Sequence, residues 1–561
     1  MFGRRRRNVN GVGRFDIAPD EVFLDSSNLQ HLDFTQMEGR VERRVSRLSI
    51  IAVGAFFALV LAVFVGQLIR LQIIRGPELA EASARNSLAH SLVFAERGVL
   101  YDRLGKELAW NERADVPYSL RVYADMPGLA HLVGYVRYPR ADAAGVWWRE
   151  NLAGVAGAEQ SFENKTAGTN GKKIVEIDAL GKIHREQIIE PAVNGESVVL
   201  SIDAELQSAL FSQLSRHAEQ NGFIGGASVI MDVGTGEILA LTSFPEFDQQ
   251  SLTDGREGAV FEYSNDKRSP FLNRAVSGLY TPGSIVKPIL AVAALAEEII
   301  SPSKKIFSPG FISIPNPFNP DKPTIMRDWR ANGWTDIREA LAVSSDVYFY
   351  AIGGGYEDQA GLGIDLIDKY ARRFGLGGKS GIDLAGEAFG VIPTPQWKAE
   401  IFQGEEWLLG DTYNTAIGQY GFQITPVQAA RFAAAIANGG ELLLPQLELG
   451  APPQKGLVRV SGENLKIVRE GMRLGVTSSL GTVRSLSIHG IEIAGKTGTA
   501  EVGSRNQFMN SWVIGFWPAD DPKFAFAAVL ERAPAGTPSG AAPAMRGFFE
   551  WLVENRPEYV K

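Results

Sequence analysis

The chain has 561 residues, 45% apolar and 21% charged, the balance of a folded protein too long for one ordinary core, so two or more domains are expected. A formal net charge of −8, with no Lys/Arg stripe outside the N-terminal tail, argues against nucleic acid as a partner. There is no cysteine, which removes thiol nucleophiles, disulfides and thiolate metal sites, and the six histidines lack any ligand spacing, so no metal or other cofactor is expected.

Residues 1–47 are polar, rich in Arg, Asp and Asn, and lack periodicity. They precede LSIIAVGAFFALVLAVFVGQLI, Leu48 to Ile69, 22 residues without a charge. At about 1.5 Å per residue that run crosses a bilayer as a helix. A buried core helix would show a polar face, and a cleaved signal peptide would have a short basic start and a small-residue cleavage site; this segment has neither. An uncleaved anchor is the reading. Nine arginines lie in the tail, four of them (Arg40, Arg43, Arg44, Arg47) close to the span, against Arg70, Arg75 and Arg85 on the other side, diluted by Glu78 and Glu81. The balance favours a cytoplasmic tail and an exported remainder.

Residues 70–195 mix short apolar runs with Gly, Asn and charged turns, including ERGVLYDRLGKELAWN and GVAGAEQSFENKTAGTNGKKIVEIDALGKI. They read as loops and short strands of a structural module. From Glu196 the pattern changes. A strand-like run and an amphipathic helix, SVVLSIDAELQSALFSQLSRHAEQ, lead into the strands ASVIMDV and EILALTSF; IEIAGKTGTA, NSWVIGFWP and KFAFAAVLE come much later. Between them lies a helical stretch with PILAVAALAEEI, DIREALAVSSDVYFYAI and TPVQAARFAAAIANG. This predicts an α+β domain over 196–561: an antiparallel sheet built from both ends, a helical subdomain inserted, and a site in the cleft between them.

Within TPGSIVKP, Pro282 and Gly283 break the chain and Ser284 is expected in the first turn of a helix, where free N–H groups favour a developing oxyanion. Lys287 follows on the same helix face, within reach of the hydroxyl. The same spacing occurs at Ser264/Lys267 and Ser301/Lys304, in polar turns, so the tetrad alone decides nothing. A lysine base must be neutral, which needs burial or a second cation. Two later stretches supply partners. Ser344-Ser345-Asp346 sits at a helix boundary, and Lys496-Thr497-Gly498-Thr499 lies on a strand whose alternation puts Lys496 and Gly498 on one face. Gly498 would leave that face bare for a substrate backbone. Taken singly these are a helix cap and a strand end; in this order they form a set.

That set, Ser284-x-x-Lys287, Ser344-x-Asp346 and Lys496-Thr497-Gly498, resembles the motifs of penicillin-binding transpeptidases and serine β-lactamases. RGVLYDR, GVAGAEQSFE, MDVGTGEILALTSFPEFD, NRAVSGLYTPGSIVKP, GDTYNTAIGQYGFQITPVQAARFAAAIANGG and SWVIGFWPADDPK extend the likeness to a class B penicillin-binding protein over nearly the whole chain after residue 45. Asp346 in place of the commoner Asn, VYFY after it and RDW at Arg327–Trp329 resemble the elongation type, penicillin-binding protein 2. Some members carry a Gly-His-Gly and a Cys near this point, linked to a bound zinc; Gly333-Trp334-Thr335 stands there, and that metal is not carried over.

The resemblance implies a transpeptidase fold with a five-stranded sheet over 196–561, a pedestal or dimerisation-type module over 70–195, an anchor over 48–69 and a tail over 1–47. It implies a D,D-transpeptidase of cell-wall elongation, inhibited covalently by β-lactams, in the bacterial inner membrane with its catalytic domain outside the cytoplasm. Ser284 would attack the penultimate D-Ala carbonyl of a stem peptide, with Lys287 as base, kept neutral in part by the charge on Lys496. Ser344 would pass the proton to the leaving group, and Asp346 would hold Lys287 and Ser344. Lys496, Thr497 and Thr499 would bind the terminal carboxylate, Gly498 would line the strand, and the N–H groups of Ser284 and Thr499 would form the oxyanion hole. Implied partners are stem peptides and nascent glycan, the membrane, a RodA-type glycosyltransferase and other elongation-complex proteins. The rivals are a D,D-carboxypeptidase, a division-type transpeptidase, a β-lactamase using Glu400, Glu405 or Glu406, and a non-catalytic scaffold or β-lactam sensor.

Overall fold

The computed structural model describes residues 46–80, 88–143, 146–177, 183–316, 319 and 321–561. The expected tail therefore lies outside the described residues as far as residue 45. The chain forms two units, residues 1–89 with 176–183, and residues 90–175 with 184–561.

In the first unit, helix α1 (Arg47–Ile69) starts at Ser46, whose hydroxyl accepts from the Ser49 N–H at 3.0 Å, and runs on into a π-helical turn, Arg70–Ile74. It is apolar all round and none of its residues is buried. Among the described residues Arg47–Ile74 is the one helix long and apolar enough to cross a membrane, by length and composition. Such a helix satisfies its backbone internally and so suits lipid.

The second unit begins with short strands. Leu100–Tyr101, Glu107–Glu112 and Leu120–Tyr123 form a four-stranded sheet with Val198–Val199. Two stretches noted in the sequence meet beside it. Arg97 of ERGVLYDR and Arg121 both donate to Glu159 of GVAGAEQSFE, at 2.5 and 2.7 Å, with all three side chains fully buried. Buried charges persist only when paired in this way.

The larger sheet is the antiparallel one expected from both ends of the region. Strands β1 (Gly225–Asp232), β2 (Ile238–Phe244), β3 (Ala494–Val502), β4 (Phe508–Trp517) and β5 (Phe524–Pro534) lie in the order β2-β1-β5-β4-β3. Val229 stands opposite Ala527, and Thr499 opposite Ser511. Both faces are covered, which is why these strands read as almost continuously apolar. Ala227, Val229 and Met231 face one core, shared with helices α3 (Lys287–Ala296), α4 (Ile337–Val343), α6 (Pro426–Ala437) and α7 (Gly462–Thr477). Ile230, Leu239, Val513 and Phe526 face the other, against α2 (Ala204–Gln220) and α8 (Ala541–Asn555). Helix α5 (Asp346–Gly354) completes the insert beside α3. The strand β3 is an edge, paired on one side only.

Candidate active site

The nucleophile candidate sits on a tighter turn than expected. Ser284 belongs to a 3₁₀ turn, Gly283–Val286, and the α-helix starts only at Lys287, with Pro288 in its first turn. This turn is pressed onto the edge strand. A Cβ on Gly498 would stand 2.6 Å from the Pro282 carbonyl oxygen and 2.9 Å from Ile285 Cγ2. The bare face of Gly498 therefore receives the Ser284 turn rather than a substrate backbone, a correction to the sequence reading. Gly283, at φ +55°, packs in turn against the Thr499 carbonyl, 2.5 Å from where its Cβ would be. Two glycines thus let the serine turn and the strand approach within backbone contact.

What remains open is the outer edge of β3. The Thr499 carbonyl accepts from Gln419 Nε2 at 3.3 Å, so it points away from β4. In an antiparallel pair the N–H of a residue points the same way as its C=O, so the Thr499 N–H also faces the free edge, on the side of the serine turn. The Thr499 side chain is exposed, and the Thr497 hydroxyl meets that of Thr482 at 2.9 Å.

Behind the serine turn three stretches converge. Helix α4 starts with a capping box at Asp336 and Glu339 and stops at Ser344, which adopts the left-handed conformation (φ 58°, ψ 40°); Ser345 then caps α5. For a residue other than glycine that conformation costs on the order of 1–3 kcal/mol, so the surroundings must hold it. Lys287 Nζ donates to the Ser344 carbonyl at 2.9 Å and to Asp346 Oδ1 at 2.6 Å, and lies 3.4 Å from Ser344 Oγ. Lys496 Nζ donates to Ser344 Oγ and to the Thr497 carbonyl, both at 2.8 Å. Both lysines are fully buried. The Ser284 hydroxyl has no hydrogen-bond partner among the described residues and is left to meet a ligand.

Of the two buried lysines, Lys287 alone has a carboxylate partner, Asp346, at 2.6 Å. Burial pushes the Asp346 carboxyl above its usual range; the Lys287 charge opposes this and the Asp328 charge adds to it. Burial first, and the Lys287 charge second, drive the Lys496 amine well below the usual lysine range.

Asp328, Thr482 and Gln419 were not picked out from the sequence; RDW carried only a resemblance, and the other two are lone polar residues in loops. Nor do the residues here fit the zinc associated with some relatives. Trp334 and Thr335 offer no imidazole or thiolate, and the carboxylate at this place, Asp328, already accepts from Ser308, Asn332, Ser345 and the Trp329 and Val347 N–H groups. Of the rival residues, Ser264, Lys267, Ser301 and Lys304 are exposed, as are Glu400, Glu405 and Glu406; none hydrogen-bonds to Ser284, Lys287, Ser344 or Lys496.

Residues 226–550 match the penicillin-binding protein transpeptidase domain, and residues 116–200 the penicillin-binding protein dimerisation domain. The peptidoglycan D,D-transpeptidase MrdA of Haemophilus influenzae is 32% identical over 482 residues, covering 79% of this chain and 71% of the relative. Among solved structures, penicillin-binding protein PBP2 of Pseudomonas aeruginosa in complex with WCK 5153 is similar with a TM-score of 0.67 and 30% identity, over 83% of this chain and 98% of that one. A chain from a peptidoglycan synthase complex that coordinates polymerization and crosslinking is similar with a TM-score of 0.69 and 28% identity, over 89% and 97%.

Proposed function

This chain belongs to the penicillin-binding protein transpeptidases of the elongation type, and on that premise we propose that its catalysis runs through Ser284. The enzyme is a serine-type peptidoglycan D,D-transpeptidase, and its penicillin-binding transpeptidase domain supports covalent inhibition by β-lactams. The observation that carries the residue assignment is the meeting of Lys287, Ser344, Asp346 and Lys496 within hydrogen-bond distance around one left-handed turn, beside a serine pressed onto an open strand edge.

A stem peptide ending in D-Ala-D-Ala lies along the free edge of β3, its terminal carboxylate towards Lys496, Thr497 and Thr499. Contact with that carboxylate favours the ammonium form of Lys496, which takes its proton from solvent. Lys287, held by Asp346 at 2.6 Å, is the base. Ser284 Oγ attacks the penultimate D-Ala carbonyl and Lys287 takes its proton; the N–H groups of Ser284 and Thr499 receive the oxyanion. As the C–N bond breaks, Ser344 Oγ, bonded to Lys496 and next to Lys287, gives its proton to the departing amine of the terminal D-Ala and regains one from Lys287. An amine of a second stem peptide then attacks the acyl carbon and gives its proton to Lys287; the ester C–O bond breaks and Lys287 returns the proton to Ser284 Oγ.

The apolar helix α1 anchors the chain by a single span. We infer that it lies in the inner membrane with the N-terminus inside, which the arginines of the tail support. The likeness to a chain of a peptidoglycan synthase complex supports a RodA-type glycosyltransferase and other elongation proteins as partners.

The test is covalent labelling of the full chain by a fluorescent penicillin. Wild type, Ser264→Ala and Ser301→Ala should form a stable adduct and Ser284→Ala none. Labelling of Ser284→Ala would remove the nucleophile assignment, and rapid loss of the label from wild type would favour a β-lactamase.

A further inference from the structure

Ser344 holds a left-handed conformation at the junction of α4 and α5, and the same residue touches both lysines. One short segment brackets that turn from both sides. Trp329 Nε1 donates to the Val343 carbonyl at 3.1 Å, the peptide just before Ser344. Asp328 Oδ2 accepts from Ser345 Oγ at 2.8 Å and from the Val347 N–H at 3.1 Å, just after it. The same oxygen accepts from Ser308 Oγ and Asn332 Nδ2, both at 3.1 Å, while Oδ1 accepts from the Trp329 N–H at 2.8 Å. Five donors thus converge on one carboxylate from three separate stretches of chain.

We propose that Asp328 is the positioning residue of the Ser344 turn: by gripping Ser345 and Val347 it sets where Ser344 Oγ and Asp346 stand relative to Lys287, without touching substrate itself. This rests on the assignment of Ser284, Lys287 and Ser344 made above. The physical requirement is plain. A strained turn with one serine side chain shared by two buried lysine amines has several nearby alternatives, and a shift of about 1 Å in such a group costs on the order of 100-fold in rate. Substrate capture belongs to the edge of β3 and to Lys496, which Asp328 does not contact, so its loss should appear in the rate of the chemical step and not in binding.

The experiment resolves acylation of the full chain in detergent by a fluorescent penicillin into its pre-covalent dissociation constant and its acylation rate constant, for wild type, Asp328→Ala, Asp328→Asn, Ser345→Ala and Ser284→Ala. The expected result for Asp328→Ala is an acylation rate constant lower by about 10- to 100-fold, from the loss of charge-assisted hydrogen bonds, with the dissociation constant within about twofold of wild type. Asp328→Asn should fall between the two, since the amide keeps one acceptor oxygen and loses the charge. Wild-type acylation in Asp328→Ala, or a loss carried by the dissociation constant, would overturn the proposal. Should Asp328→Ala not fold, Ser345→Ala removes one arm of the grip alone; a selective loss of rate there supports the proposal and an unchanged rate overturns it. Acylation of Ser284→Ala would show instead that the underlying nucleophile assignment had failed.

Discussion

Two buried lysines share the Ser344 hydroxyl, and only Lys287 has a carboxylate partner. The two positions should therefore answer differently to the same substitution. Lys287→Met strands Asp346 in the interior and should lower stability by about 3 kcal/mol at neutral pH. A buried carboxyl without its cation has a raised pKa, so the native state then binds the extra proton; the stability penalty is full above that raised pKa and shrinks as pH falls through it. Thermal unfolding at neutral and mildly acidic pH reads this sign directly. Lys496→Met removes an amine that burial has already pushed towards neutrality, and stability should change by less than about 1 kcal/mol while acylation falls by about 100-fold or more. Equal destabilisation by the two substitutions would contradict the pairing of Asp346 with Lys287 alone.

At the scale of elements, the site is a junction between a 3₁₀ turn, an edge strand and a broken helix, and each part left a different trace in the sequence. The strands were visible as apolar runs, and the break at Ser344-Ser345 as polar residues inside an apolar helical stretch. The contact of Gly498 with Pro282 and Ile285 was not visible, because a glycine on a strand equally suits a ligand or another backbone. Gly498→Ala tests the observed contact. Its Cβ would meet backbone at 2.6 Å, so the serine turn must move off the strand, and acylation should slow by about 100-fold in a chain that still folds. An unchanged acylation rate would mean that the turn and the strand tolerate separation.

For the whole molecule, anchor and catalysis are expected to separate. Removal of residues 1–69 should leave a soluble fragment that still takes up a fluorescent penicillin but no longer supports cell shape; restored shape from the truncated gene would refute the need for the anchor. The apolar span, the antiparallel sheet made from both ends of its region, and the residue types of the three motifs could be read from the sequence. Periodicity, uninterrupted apolar length and side-chain chemistry are properties of short stretches. Which lysine pairs with Asp346, what Gly498 faces and why Asp328 lies beside the Ser344 turn were decided only by the tertiary structure. Each depends on burial and on distances of 2.6–3.1 Å between residues far apart along the chain, and folding alone sets those distances.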